Sequence, residues 1–205
     1  MPFKRKIDFP SHTFAKSLVI GLLIGLVASI TPVQAEDDDL PLRFNAIAQN
    51  LSNVGPRGQA RLQINVTRWT TAEEGAAVME ALKAGSESRG TRTLADALFE
   101  QEIVGTFRET RSLAENLRYS RQTKTEDGQR IVLATDRPLA FAEVWRSART
   151  TDYNVTLIIL EVDKDGRGEG QVMVGADLSW DDAANQVTIT NFASEPIRLT
   201  NVRMR

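Results

Sequence analysis

The feature that most constrains the fold of this chain is a period of two in its apolar residues, repeated in many short runs. Apolar and mostly polar residues alternate over 40–48 and again over 62–66, with a loop rich in Gly and Pro between them. Such alternation is typical of strands with one buried face. The two runs therefore predict an antiparallel hairpin.

The chain after residue 101 predicts further strands. Asp127-Gly128 separates the runs 117–120 and 131–134, and Asp-Gly between such runs is a strong hairpin signal. Residues 153–162 are the most apolar run and predict a central strand. Together with 172–180, 187–189 and 197–202 they predict a four-strand meander, with a bulge where the last run slips in phase. The turn between its first two strands is expected over 163–170.

Two helices are predicted between the first hairpin and the later strands. Thr71 and Glu74 have the spacing of a capping box, and the first helix is expected to end at Gly85. The second would begin at Thr91 or Thr93. The apolar faces would consist of Ala77, Val78, Ala81 and Leu82 in the first helix and of Leu94, Ala97, Leu98 and Phe99 in the second. The fold class is thus α+β, with an antiparallel sheet of about seven to nine strands.

Residues 1–35 have the order of a secretory signal peptide. A basic segment precedes the apolar run 18–30, and Val33-Gln34-Ala35 offers a small-residue cleavage site. The run is shorter than the roughly 20 residues of a membrane-spanning helix, although an uncleaved anchor is the alternative. We therefore expect an exported domain over 36–205, periplasmic or extracellular, without stable membrane insertion after cleavage. The lack of cysteine suits a bacterial protein that needs no disulfides.

Charge narrows the partners that such a domain would bind. Residues 36–205 carry a formal net charge of −5, since the leader contributes four basic residues and one acidic residue to the total of −2. An acidic domain is a poor candidate for binding nucleic acid. Its basic residues are 18 arginines and three lysines. This excess of arginine over lysine could indicate recognition of carboxylates or phosphates, which arginine binds in a bidentate way. We favour a simpler explanation, in which a GC-rich genome encodes mostly arginine and these arginines lie on solvated strand faces.

Several chemistries are excluded by composition. The single histidine, His12, lies in the leader, and there is no cysteine. The expected domain therefore lacks a Ser-His-Asp triad, a Cys-His pair and a zinc site with His or Cys ligands. It also contains no Walker-type phosphate loop, and we expect no cofactor.

The remaining candidates for a site are weak. Asp136, Arg137 and Asp152 fall at predicted strand ends, where paired carboxylates could perform acid–base catalysis, but an Arg–Asp ion pair is the favoured interpretation. Asp163 and Asp165 suggest calcium, yet the EF-hand spacing fails and a hairpin turn explains them. The three tryptophans would form either lids on the core or a ligand-binding platform; they are Trp69, Trp145 and Trp180.

Several stretches together resemble a family of uncharacterised exported bacterial proteins. They are Val66-Thr67-Arg68-Trp69-Thr70-Thr71, Arg130–Pro138, Thr151-Asp152-Tyr153 with Thr156-Leu157-Ile158, Asp163–Gly170, and Pro196–Val202. The resemblance covers most of 40–203 and implies export and a shared domain. It implies no known activity and no catalytic residues.

Two classes of function follow as hypotheses. The first is a non-catalytic binding or structural domain of the cell envelope, whose partner would be an envelope protein or a small apolar ligand. The second is a hydrolase that works through carboxylates. We favour the first, because proton transfer near neutral pH most often uses histidine.

Overall fold

A computed structural model describes residues 40–50, 58–88, 91–110, 112–137, 155–181, 186–192 and 196–205. The predicted leader, Trp145 and Asp152 lie outside these ranges. The described chain forms ten strands and two helices, in the order β1 Leu42–Asn50, β2 Gly58–Val66, α1 Ala72–Ser88, α2 Thr91–Glu100, β3 Gly105–Glu109, β4 Glu115–Leu117, β5 Tyr119–Lys124, β6 Gly128–Thr135, β7 Val155–Asp163, β8 Arg167–Asp181, β9 Gln186–Phe192 and β10 Ile197–Met204. Neither helix is long and apolar enough to cross a membrane.

The predicted α+β fold with an antiparallel sheet is confirmed. β1 and β2 form the expected hairpin, with Leu42 opposite Val66, and both helices follow it. β5 and β6 form the hairpin at Asp127-Gly128. The sheet has ten strands rather than seven to nine, because the run around residue 117 is divided at Arg118 into β4 and β5.

The ten strands form one sheet that curves into a nearly closed barrel. Nine of them follow the order β4-β3-β2-β1-β10-β8-β7-β6-β5, and β9 pairs with β8 beside this path. The end strands β4 and β5 are consecutive in the chain and separated only by Arg118, whose N–H donates to the Ala134 carbonyl at 2.9 Å. The two edges of the sheet thus meet in residues 115–124, which we call the seam.

The predicted meander over 153–204 is wrong in its last connection. β7 pairs with β8 and β8 with β9, as expected. β10 instead pairs with the first half of β8 and with β1, whereas β9 occupies the second half of β8. β8 has 15 residues, long enough to pair with both strands in succession. The expected bulge in β10 is confirmed between Leu199 and Val202, where Asn201 has φ 52°.

The turn between β7 and β8 is also shorter than predicted. β8 begins at Arg167, so Gly168 and Gly170 belong to the strand and not to the turn. A side chain at Gly168 would collide with the backbone of Glu161 on β7. Glycine is needed here because two strands approach closely, not because the chain turns.

Two apolar clusters stabilise the fold. The barrel-interior cluster is built from alternate residues of the strands, including Phe44, Ile64, Leu133 and Val174. The helix-side cluster lies between the outer surface of β6–β9 and the two helices, and includes Leu82, Leu98 and Leu157. One face of the sheet therefore fills the barrel, and part of the other face supports the helices.

The helices differ from the prediction in the residue at which α1 ends and in two residues of their apolar faces. α1 continues beyond Gly85 to Ser88, and Gly85 is itself buried. Ala77 is exposed rather than part of the apolar face. Phe99 is 59% exposed, because α2 places Leu94, Ala95 and Leu98 against the sheet and Phe99 lies one position beyond that stripe.

Candidate ligand-binding site between the helices and the barrel

The sheet side of the candidate site is formed by β6 and β7, which contain the consecutive apolar runs 131–134 and 157–160. In β6, Ile131 and Leu133 fill the barrel while Val132 and Ala134 face the helices. β7 continues the pattern, and its residues 155–160 are all buried. Because successive side chains of a strand point to opposite faces, an unbroken apolar run supplies both the barrel interior and a second apolar wall outside it.

The helix side has the matching spacing. Val78 and Leu82 of α1, and Leu94 and Leu98 of α2, are four residues apart and lie on one face of each helix. All four are buried against the outer wall of the barrel. Met79 is partly buried at the same face, and its unbranched side chain adapts readily to the shape of its surroundings.

The two walls do not meet completely, and a cavity of about 60 Å³ remains between them. Every described side chain that lines it is apolar except for the phenol of Tyr119. The lining residues are Val78, Met79, Leu82, Leu94, Leu98, Tyr119, Val132, Ala134, Val155, Leu157, Ile159, Leu178, Val187 and Ile189. An apolar cavity of this kind stays dry and favours aliphatic or aromatic occupants over water.

Tyr119 is the polar element of the cavity wall. It is the first residue of β5 and pairs with Ala134 of β6. Burial raises the pKa of the Tyr119 phenol above its ordinary value of 10.0, so the hydroxyl remains neutral at physiological pH. The hydroxyl interacts with the Arg121 side chain, so Tyr119 contributes mainly its aromatic ring to the cavity wall.

The beginning of α1 is attached to the barrel by a charged pair. Both terminal nitrogens of Arg68 bind the Glu74 carboxylate at 2.8 Å. This pairing is the main reason why the pKa of Glu74 is lowered and that of Arg68 is raised. The residues before α1 also bind the seam, because the Ser120 hydroxyl donates to the Arg68 carbonyl at 2.8 Å.

The end of α2 is attached to the same region. Arg118, at the break between β4 and β5, donates from Nη1 to the Gln101 carbonyl at 2.7 Å. Its guanidinium also lies 5.3 Å from the centre of the Phe99 ring, within the range of a cation–π contact. Both outer ends of the helix pair are therefore held at the seam.

The predicted tryptophan platform is divided between two parts of the molecule. Trp69 packs against the barrel-interior cluster, whereas Trp180 packs against the helix-side cluster. The Lys83 ammonium lies 4.4 Å from the centre of the Trp180 ring. Trp145 lies outside the described residues, so its part in a platform stays a prediction.

Asp136 directly follows β6 and lies beside Arg118 of the seam. Its side chain is only 6% exposed and has two arginine neighbours: Arg118 Nε at 3.8 Å and Arg137 Nη2 at 3.4 Å. The Thr135 hydroxyl donates to the same carboxylate at 3.3 Å. This environment is that of an ion pair. The proposed partner carboxylate, Asp152, lies outside the described residues, and the catalytic pairing stays untested.

Asp163 and Asp165 occupy the turn between β7 and β8. Asp163 Oδ1 accepts the N–H groups of Asp165 and Arg167, each at 2.9 Å. This carboxylate thus organises the turn through backbone hydrogen bonds. Within the part of the chain that the structure describes, no three His, Cys, Asp or Glu side chains cluster in a way that could hold a metal ion.

The cavity residues are not among the site residues predicted from the sequence. The available signal was the unbroken apolar character of 131–134 and 157–160, which indicates a strand buried on both faces. The sequence does not indicate that the helices cover the outer face of the sheet incompletely. That depends on the distance between the helices and the sheet.

Comparisons with known proteins found no match. No protein-family model matches the chain, and neither a curated protein nor a solved structure is significantly similar to it.

Proposed function

We propose that this protein is a non-catalytic, exported domain of the bacterial cell envelope that binds the aliphatic part of a small ligand between its helices and its barrel. The observation that carries the proposal is the apolar cavity of about 60 Å³ on the outer wall of the sheet. A cavity of roughly 150 Å³ holds a benzene molecule. The occupant here is therefore a short aliphatic group, or the tip of a longer chain.

A bound ligand would restore van der Waals contacts that the wall atoms lack while the cavity is empty. Wall atoms that face a void lose dispersion contacts that a well-packed core would make. A ligand that buries methylene groups there would gain about 0.8 kcal/mol for each.

The attachment of the helices offers a route of entry. The segment before α1 and the end of α2 are both held at the seam, by the Ser120–Arg68 and Arg118–Gln101 hydrogen bonds. A small rotation of the helix pair about the seam, with opening of the Lys83–Trp180 contact farther along α1, would admit a ligand with little disturbance of the barrel. Export, on which the envelope assignment rests, is supported by the order of residues in the leader.

The test fills the cavity and measures binding. Ala134 is 4% exposed and lines the cavity, so Ala134→Leu places three carbon atoms in the empty space. Calorimetric titration of the purified exported protein with n-alkanols of increasing length should show affinity rising with each methylene until the space is full. In Ala134→Leu the affinity should fall by about tenfold or more, which corresponds to about 1.4 kcal/mol, while thermal stability is kept or raised.

The matched control is Ala46→Leu. Ala46 is equally buried, at 4%, but lies in the barrel-interior cluster, where added carbons overpack the core at a cost of about 1–3 kcal/mol. That variant should lose stability and keep alkanol binding. Equal destabilisation by both variants, or unchanged binding in Ala134→Leu, would contradict the proposal.

A further inference from the structure

A second surface, on the side of the barrel formed by β10, β1, β2 and β3, carries an unusual set of outward side chains. One row across these strands consists of Arg203, Asn45, Gln63 and Arg108, which are neighbours in the strand register. The adjacent row begins with Arg43 opposite Asn65, and the Arg205 N–H donates to the Arg43 carbonyl at 2.8 Å. We call these outward positions the arginine–amide face.

Five arginines of this face are exposed and have no acidic partner among the described residues. Arg43, Arg61, Arg108, Arg203 and Arg205 are all exposed, and none belongs to an ion pair in the described part of the chain. Only Arg198, at the margin, pairs with a carboxylate, that of Glu169. No outward position described on β1, β2 or β10 is acidic. A domain of net negative charge has therefore concentrated positive charge on one face.

The face also contains a cleft. It has a volume of about 650 Å³ and is lined by Pro41, Arg43, Phe44, Asn45, Gln63, Ile64, Asn65 and Arg205. Asn65 Oδ1 is buried and has no hydrogen-bond partner in the described structure. A buried acceptor without a partner is costly, and a bound group that donates a hydrogen bond would relieve that cost.

From this combination we infer that the arginine–amide face binds an extended acidic peptide. Carboxylates fit the guanidinium groups in a bidentate way, and a peptide N–H would supply the donor that Asn65 Oδ1 lacks once this side chain turns toward the cleft. Strands in a sheet are about 4.8 Å apart, so Arg203 and Arg108 are separated by about 14 Å. An extended peptide spans that distance in about four residues.

Two features of the face argue against other binding modes. The large exposed hydrophobic side chains of the described structure are Phe99, Ile103 and Leu113, and none of them lies on this face, so nothing here would insert into a lipid bilayer. β10, β1, β2 and β3 are each paired on both sides. The peptide would therefore lie across the outer surface and would not add a strand to an edge.

The experiment uses a short fluorescent peptide of alternating Glu and Ser residues, with a Gln–Ser peptide as its uncharged counterpart. Fluorescence anisotropy should show binding of the Glu peptide alone, weakening as salt rises. Arg43→Gln and Arg108→Gln should each weaken binding by about tenfold. Asn65→Leu, which leaves the charge unchanged, should weaken it as well. Circular dichroism would verify that each variant is folded.

The control is Lys124→Gln, which removes the same charge from an exposed position on β5 and should leave binding unchanged. An equal loss in Lys124→Gln, or no effect of Asn65→Leu, would show attraction by net charge only and overturn the inference. Binding to vesicles that contain phosphatidylglycerol, without binding to the Glu peptide, would overturn it in favour of an anionic lipid surface. Ala134→Leu should bind the peptide normally, which keeps this test independent of the cavity.

Discussion

At the scale of single residues, Gly175 decides which side of the sheet the second half of β8 presents. The sequence 172–180 alternates without interruption, which predicts that Val172, Val174, Ala176, Leu178 and Trp180 share one face. Val172 and Val174 do fill the barrel, but the last three residues belong to the helix-side cluster. Gly175 has φ 62°, a conformation that glycine adopts without strain, and the pairing of β7 with β8 shifts at this point.

The first prediction concerns Val174, the last residue before that switch. It is 3% exposed within the barrel-interior cluster. Val174→Asp would bury a carboxylate among apolar side chains and should lower the free energy of unfolding by about 3 kcal/mol or more. Urea denaturation would measure it, with Thr123→Asp at an exposed position of β5 as the control. Tolerance of Val174→Asp would mean that this part of β8 faces the other way.

At the scale of elements, Glu74 at the N-terminus of α1 takes part both in the capping box with Thr71 and in an ion pair with Arg68. The predicted capping box is confirmed, because the Thr71 N–H donates to Glu74 Oε2 at 2.8 Å and the Glu74 N–H donates to Thr71 Oγ1 at 3.2 Å. The same Glu74 carboxylate binds Arg68 with both oxygens. One side chain thus starts the helix and attaches it to the barrel.

The second prediction follows from the lowered pKa of Glu74. The unfolded chain takes up a proton near the ordinary value of 4.5, whereas the folded protein does so only at lower pH, so the ion pair stabilises the folded state above that value. Glu74→Gln keeps the capping hydrogen bonds but removes the charge. It should cost about 1 kcal/mol at pH 7, and the difference should shrink as the pH falls below 4.5 and vanish once Glu74 is protonated in the folded protein as well.

Urea denaturation at a series of pH values would measure this dependence. Glu73→Gln is the control, because Glu73 lies in the same first turn and is exposed. It should change stability by less than about 0.5 kcal/mol. A difference for Glu74→Gln that persists in acid would show that packing, and not charge, is responsible.

At the scale of the whole molecule, the seam turns an open sheet into a nearly closed barrel. β4 pairs with β3 and β5 pairs with β6, so a single segment binds both edges of the sheet. The break between the two pairings falls at Arg118, whose side chain is 15% exposed and lies beside Asp136. Bringing the two edges together leaves less of each open to pairing with other chains.

The third prediction tests the charge pair at the seam. Asp136→Asn would leave the largely buried Arg118 without its carboxylate neighbour, and should destabilise the protein by about 1–2 kcal/mol. Asp165→Asn, at an exposed carboxylate in the β7–β8 turn, should have almost no effect. Thermal and urea unfolding of the three proteins would measure the difference. Equal stability of Asp136→Asn and the parent protein would mean that Asp136 does not stabilise the seam.

The sequence by itself determined the local elements of this protein. Alternation predicted the strands of the first hairpin, Asp127-Gly128 predicted the β5–β6 turn, and Thr71 with Glu74 predicted the start of α1. Each of these depends on residues a few positions apart, so the short-range physics of turns, caps and side-chain direction is sufficient. The lack of histidine after His12 and of cysteine likewise limits the chemistry without reference to a fold.

Only the tertiary structure decided how those elements are combined. The pairing of β10 with β1 and β8, the closure at Arg118 and the change of face at Gly175 all depend on partners far apart in the chain. The same is true of both proposed sites. The cavity exists because two helices stand slightly away from a wall that is apolar on both faces, and the arginine–amide face exists because strand register brings Arg203, Asn45, Gln63 and Arg108 into one row. Register and spacing are set by the packing of the whole core, which no local pattern contains.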